Sequence, residues 1–110
     1  MNKSKQKGTA FETAVVDYVH GLMPDAIVVR QTMKGSKDEG DVAVYRDGRK
    51  FIIECKNTAT IDLAGAVDEA AIECMNAAAD LGIAVIKRRG KGVGESYAVI
   101  KLEDLKWLVT

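Results

Sequence analysis

The sequence predicts an α/β sandwich, a mixed central sheet of about five strands flanked by helices, in the order αβββαββα. Three observations predict it. Val42, Val44 and Tyr45 precede the pair Asp47-Gly48, and Phe51, Ile52 and Ile53 follow it, which is the pattern of a tight two-residue hairpin. An alanine-rich run through Leu63, Ala66, Val67, Ala70, Cys74 and Leu81 recurs at helical spacing. A short apolar segment at 83–86 then follows that helix, so a strand–helix–strand path should place two strands parallel through a right-handed crossover.

Taken in order, residues 1–7 form a mobile basic arm. The first helix is expected over about 10–22, because Phe11, Val15, Tyr18, Val19 and Leu22 fall on one face and Pro24 stops it. Residues 26–31 are rich in β-branched side chains and form the first strand. A polar loop at 32–39 leads into the hairpin at 40–56. The long helix is expected over about 62–81, with Gly82 as its stop. Strands at 83–87 and 97–102 are joined by a basic, glycine-rich turn, and a short helix at 103–109 closes the chain.

Composition narrows the class. The 110 residues suffice for one core and hence a single domain, and 47% of them are hydrophobic with one proline, which is globular usage. No apolar run reaches the ~20 residues of a membrane span, and the polar start is unlike a signal peptide, so a cytoplasmic setting is expected. Cys55 and Cys74 lack metal spacing and read as reduced core thiols. The 16 basic and 16 acidic residues cancel, yet they are segregated. Lys3, Lys5 and Lys7 lead the chain, Arg30, Lys34 and Lys37 surround the polar loop, and Lys87, Arg88, Arg89 and Lys91 crowd the last turn. Between Asn57 and Ile86 every charged residue is acidic. Such a split lets one face meet phosphates, although each basic cluster alone is equally consistent with a solvated surface.

The hairpin carries the chemistry. Asp41 opens one strand and Glu54 lies near the end of the next, with Lys56 on the same face as Glu54. A carboxylate and an amine at the end of an apolar strand are costly to bury unless paired or metal-bound. Two converging carboxylates suit Mg²⁺, with Mn²⁺ a natural substitute, and Lys56 then stands where it can orient an attacking water or stabilise charge on phosphorus.

Gly40-Asp41 followed by Glu54-Cys55-Lys56 resembles the core of the PD-(D/E)XK nucleases, with Gly40 where that family often has proline. The segment Lys7-Gly8-Thr9-Ala10-Phe11-Glu12 is similar to the Lys-Gly-(X)₃-Glu helix of the Holliday junction resolvase branch. Arg30, the Gly35-Ser36 loop and the Lys87-Arg88-Arg89-Gly90 segment are similar to phage-encoded resolvase-like proteins of that branch. The resemblance implies a restriction-endonuclease-like fold and a metal-dependent DNA endonuclease active in recombination. Its site would hold Mg²⁺ on Asp41 and Glu54 with Glu12, use Lys56 at the attacking water, and cut branched DNA as a homodimer. Lys7, Arg30, Lys34, Ser36, Lys37, Lys87, Arg88, Arg89 and Lys91 would contact the DNA. The dimer interface would be the alanine-rich helix or the end bearing Trp107.

Other readings of the same residues stay open. Thr9 and Glu12 also fit a capping box at a helix start. Arg30 and Ser36 equally suit ordinary surface positions, Asp38 and Glu39 read as solvated, and His20 falls on the polar face of its helix. The glycine-rich turn neither opens a helix nor carries the ending of a phosphate-binding loop, so NTPase chemistry is excluded. A nuclease of the same family acting on ordinary duplex or single strands, or a non-catalytic DNA-binding module, are the alternatives.

Overall fold

A computed structural model describes residues 3–32 and 37–109, with side chains from Gly8 onward in the first helix. The order is α1 (Lys3–Leu22), β1 (Ile27–Arg30), β2 (Val42–Arg46), β3 (Arg49–Lys56), α2 (Leu63–Asn76), β4 (Leu81–Ile86) and β5 (Tyr97–Val99). A 3-10 turn at Val93–Glu95 precedes β5, and a 3-10 segment at Leu102–Trp107 closes the described chain in place of the expected α-helix. The five strands form one mixed sheet in sequence order. β1, β2 and β3 pair antiparallel, β3 and β4 pair parallel, and β5 returns antiparallel to β4. The expected α/β class and mixed sheet are thus present. No helix among the described residues is long and apolar enough to cross a membrane.

The hairpin forms as its sequence dictates. Asp47 (φ 53°) and Gly48 (φ 74°) both occupy positive φ, the two-residue turn whose twist matches the flanking strands. That turn fixes Val42 opposite Ile53 and Ala43 opposite Ile52, so the two sheet faces bury different sets. Val42, Val44 and Ile53 pack under Phe11 and Val15 of α1. Ala43 and Ile52 face the other way with Ala77, and Ala66 of α2 packs on Ala84 and Ile86.

Two boundaries differ from expectation. α1 starts at Lys3, not near residue 10, so the segment read as a mobile arm is helical from Lys3. Lysine and glutamine are good helix formers, and Gly8 alone costs only about 1 kcal/mol, too little to stop the helix. Thr9 and Glu12 are therefore interior helical residues, and the capping box does not apply. α2 is shorter than expected. Asp62 caps its start by accepting the Gly65 N–H (2.9 Å), but the helix ends at Asn76. Ala78 takes the left-handed conformation (φ 52°), and the Ala79 N–H closes back on the Cys74 carbonyl at 2.9 Å. Leu81 and Gly82 belong to β4, so Gly82 is no helix stop. Its role is steric: a Cβ there would strike the Ala70 carbonyl of α2. The apolar spacing simply runs on from helix to strand, because Leu81 must be buried opposite Phe51.

Candidate metal centre and nucleic-acid face

Parallel pairing of β3 and β4 brings their carboxyl ends side by side, the end of a sheet where α/β proteins gather their sites. Lys56 lies opposite Ile86, and the Lys87 N–H donates to the Lys56 carbonyl at 3.0 Å. The basic turn therefore begins one residue from the end of the strand that carries Glu54 and Lys56. Its far side is seated on α1, where Gly94 lies so close to the Tyr18 phenol that a Cβ would collide with it.

Asp41 stands one step outside the Val42–Ile53 pair, its N–H donating to the Ile53 carbonyl at 3.0 Å. Its Oδ2 accepts the Cys55 N–H at 2.8 Å, which pins the carboxylate beside the residue that follows Glu54. Burial pushes the Asp41 pKa up; the Cys55 N–H opposes this and the Glu12 charge adds to it. Gly40 is required here, since its φ of 92° is closed to proline and a Cβ would strike Ile52.

Glu54 is buried, and its Oε2 pairs with Lys56 Nζ at 3.2 Å. Its Oε1 has no hydrogen-bond donor beyond the neighbouring acids, and neither has either oxygen of Glu73, which is 2% exposed in the last turn of α2. Burial drives the Glu54 pKa up to about 8; a hydrogen bond with Glu73 opposes the shift, and the neighbouring charges of Asp41 and Glu69 add to it. Burial likewise drives Glu73 to about 10, assisted by its contact with Glu54. Asp38 and Glu69 complete a cluster in which one carboxylate oxygen from each of Asp38, Glu54, Glu69 and Glu73 lies within 4.8 Å of the others. Asn76 Nδ2 donates to the Asp38 carbonyl at 2.8 Å and fastens that loop to α2.

These residues fit a divalent cation. The donor set is all carboxylate oxygen, which suits a hard divalent cation, and the buried oxygens that no protein donor reaches need a cation or protons. Lys56 supplies part of the compensating charge through its bonds to Glu54 and to Glu69 at 2.5 Å. Burial works against the Lys56 ammonium, but those two hydrogen bonds outweigh it and hold its pKa above the ordinary lysine value.

The expected ligand set is only partly the observed cluster. Glu54 belongs to both, whereas Asp41 and Glu12 lie outside the four-acid group. Glu12 projects from α1 to accept from Arg30 Nε at 3.1 Å, and its charge is felt at Asp41 and Cys55. Arg30 is thereby engaged by an acid. Asp38, read as solvated, is exposed but contributes to the cluster. Glu69 and Glu73 were missed, although Glu73 falls on the buried stripe of Ala66, Ala70 and Ala77, where a lone acid is itself a signal. No protein-family model and no curated protein matches this chain.

Among the expected DNA contacts, Lys34, Ser36 and the side chain of Lys7 lie outside the described residues. Lys37, Arg89 and Lys91 are exposed, and Lys87 is half-buried. Arg88 folds over the Tyr97 ring, 5.0 Å from its centroid, and lies 3.9 Å from Glu95. Both cysteines are free thiols, and burial pushes the Cys55 pKa up, so it stays protonated.

Proposed function

We propose that this protein is a Mg²⁺-dependent endonuclease that hydrolyses phosphodiesters of branched DNA, a resolvase-like member of the PD-(D/E)XK nucleases. The observation that carries the reading is the pair of buried, donorless carboxylates Glu54 and Glu73 beside Lys56, at the sheet end that also bears the basic turn. Glu54 and Glu73, with Asp38 and Glu69 at the rim, would hold the cation, and the resemblance adds Asp41 and Glu12. A bound divalent ion supplies Lewis-acid polarisation of the phosphate and a lowered pKa for water.

Lys56 keeps its proton at neutral pH, so it serves as a hydrogen-bond donor and positive charge rather than as a base. In that role it orients water towards phosphorus and stabilises the charge that builds on the phosphoryl oxygens. Asp41 fixes the strand end that presents Glu54 and Lys56 through its bond to the Cys55 amide. Lys87, Arg89 and Lys91 bind phosphates without reading sequence. Paired cuts across a two-fold symmetric junction call for two matched sites and hence a homodimer.

The test is cleavage of a synthetic four-way junction and of linear duplex of the same sequence with Mg²⁺. Paired nicks in the junction, lost in Lys56→Ala and Asp41→Asn while binding persists, are expected. Equal cutting of both substrates would instead favour an ordinary duplex nuclease, and binding with no cutting in Mg²⁺ or Mn²⁺ a non-catalytic module.

A further inference from the structure

Two clefts adjoin at the sheet end beyond Lys56, and their linings differ in kind. One, of about 320 Å³, has Lys56 and Glu69 at its inner end, Ile61, Gly65 and Ala66 among its walls, and Thr58 and Thr60 on its rim. The other, of about 240 Å³, runs from Asn57 and Ala59 to Lys87, Arg89 and Gly90. Thr58 and Ile61 line both, so the two clefts adjoin along one path over the sheet end. The connection is held in shape by the Thr58 hydroxyl, which donates to the Thr60 carbonyl at 2.8 Å, and by the Lys87–Lys56 backbone bond.

The charges along this groove are sorted. Arg88 is spent on Tyr97 and Glu95, whereas no described carboxylate pairs with Lys87 or Arg89. The outer cleft therefore offers two uncommitted cations to phosphate. The inner cleft suits an uncharged group instead. Its two carboxylates, Asp62 bonded to the Gly65 N–H and Glu69 paired with Lys56, repel a phosphate but accept hydrogen bonds from a neutral amino edge, and its remaining walls are aliphatic or hydroxyl-bearing. A neutral, partly apolar ligand with hydrogen-bonding edges, joined to phosphates at the outer side, is a nucleotide unit of a single strand.

On the nuclease reading above, we propose that this groove holds an unpaired DNA strand, with Lys87 and Arg89 on its phosphates and one unstacked base in the cleft between Thr60, Ile61 and Ala66. Duplex DNA must unpair and unstack to present a base there, at a cost of a few kcal/mol that is smaller at a branch point, where the end pair of an arm can lose a stacking neighbour. The groove is thus a source of selectivity for branched over linear DNA that does not depend on reading sequence.

The experiment uses four-way junctions carrying 2-aminopurine in turn at each nucleotide around the branch, bound with Ca²⁺ in place of Mg²⁺. A rise in fluorescence at one position, absent from linear duplex, is expected. Thr60→Trp, which fills the inner cleft from an exposed position, should abolish the rise while the junction stays bound; Thr60→Val should retain it. Lys87→Ala with Arg89→Ala should lower the salt dependence of binding by about 1 per cation. A bound junction with no fluorescence change at any position, or a rise that survives Thr60→Trp, overturns the proposal. A rise with no cutting in Mg²⁺ supports the groove and removes the nuclease reading, so the two fail separately.

Discussion

Glu73 of α2 and Glu54 of β3 face each other and bury three carboxylate oxygens that no donor beyond the two acids reaches, each residue less than a tenth exposed. An isolated fold gains nothing from this arrangement, since unpaired buried acids cost several kcal/mol each when charged. The arrangement becomes favourable when a divalent cation is present, and the first predictions turn on that difference.

Without metal, stability should fall as pH rises. In the unfolded chain both glutamates lose their protons near 4.5, whereas in the fold they keep them up to about 8 and about 10. Between those limits the folded state binds more protons, so deprotonation favours unfolding. Thermal denaturation in EDTA should give a higher Tm at about pH 5.5 than at about pH 8.5, from these groups. Mg²⁺ or Mn²⁺ should reverse the order, adding about 2.7 kcal/mol at a hundred times Kd, most visibly at the higher pH. An unchanged Tm on adding either ion at pH 8.5 would argue against the centre.

Glu73→Met should stabilise the metal-free protein by about 1–3 kcal/mol, because it replaces a donorless buried acid with an apolar side chain of similar length. The same variant should lose most of the Mg²⁺-dependent gain in Tm. Calorimetric titration of Mn²⁺ into parent and variant measures both effects.

Lys56→Ala should leave junction affinity within about threefold of the parent and lower the single-turnover cutting rate by about 10²-fold or more, as for loss of one charge-stabilising donor. Since the Lys56 ammonium bonds to Glu54 and lowers its pKa, its removal should move the acidic limb of the pH–rate profile to higher pH. Loss of the limb, or its movement to lower pH, would show that the lysine serves as a base.

The α2–β4 junction makes a test independent of function. Ala78→Gly relieves a left-handed alanine and should raise stability by about 1 kcal/mol. Gly82→Ala should lower it by about 1–3 kcal/mol, because the added Cβ meets the backbone of Ala70 rather than a movable side chain. Urea midpoints of the two variants should move in opposite directions.

Local chemistry was legible in the sequence. Asp47-Gly48 fixed a hairpin and its register, alternation put Glu54 and Lys56 on one face of β3, and the strand–helix–strand path placed the basic turn beside them. Each of those follows from short-range geometry, a turn type or a period of two, which needs no knowledge of the remaining chain. What the tertiary structure alone decided is which acids meet. Glu69 and Glu73 lie 15 and 19 positions beyond Glu54 and reach it only because α2 packs on β3, where Gly82 lets the helix approach the sheet. Glu12 passes to Arg30 for the same kind of reason: α1 begins at Lys3, and the cap that Thr9 and Glu12 could have formed gave way to a pairing across the fold. Helix ends and ligand sets are settled by long-range burial, and burial depends on the whole chain at once.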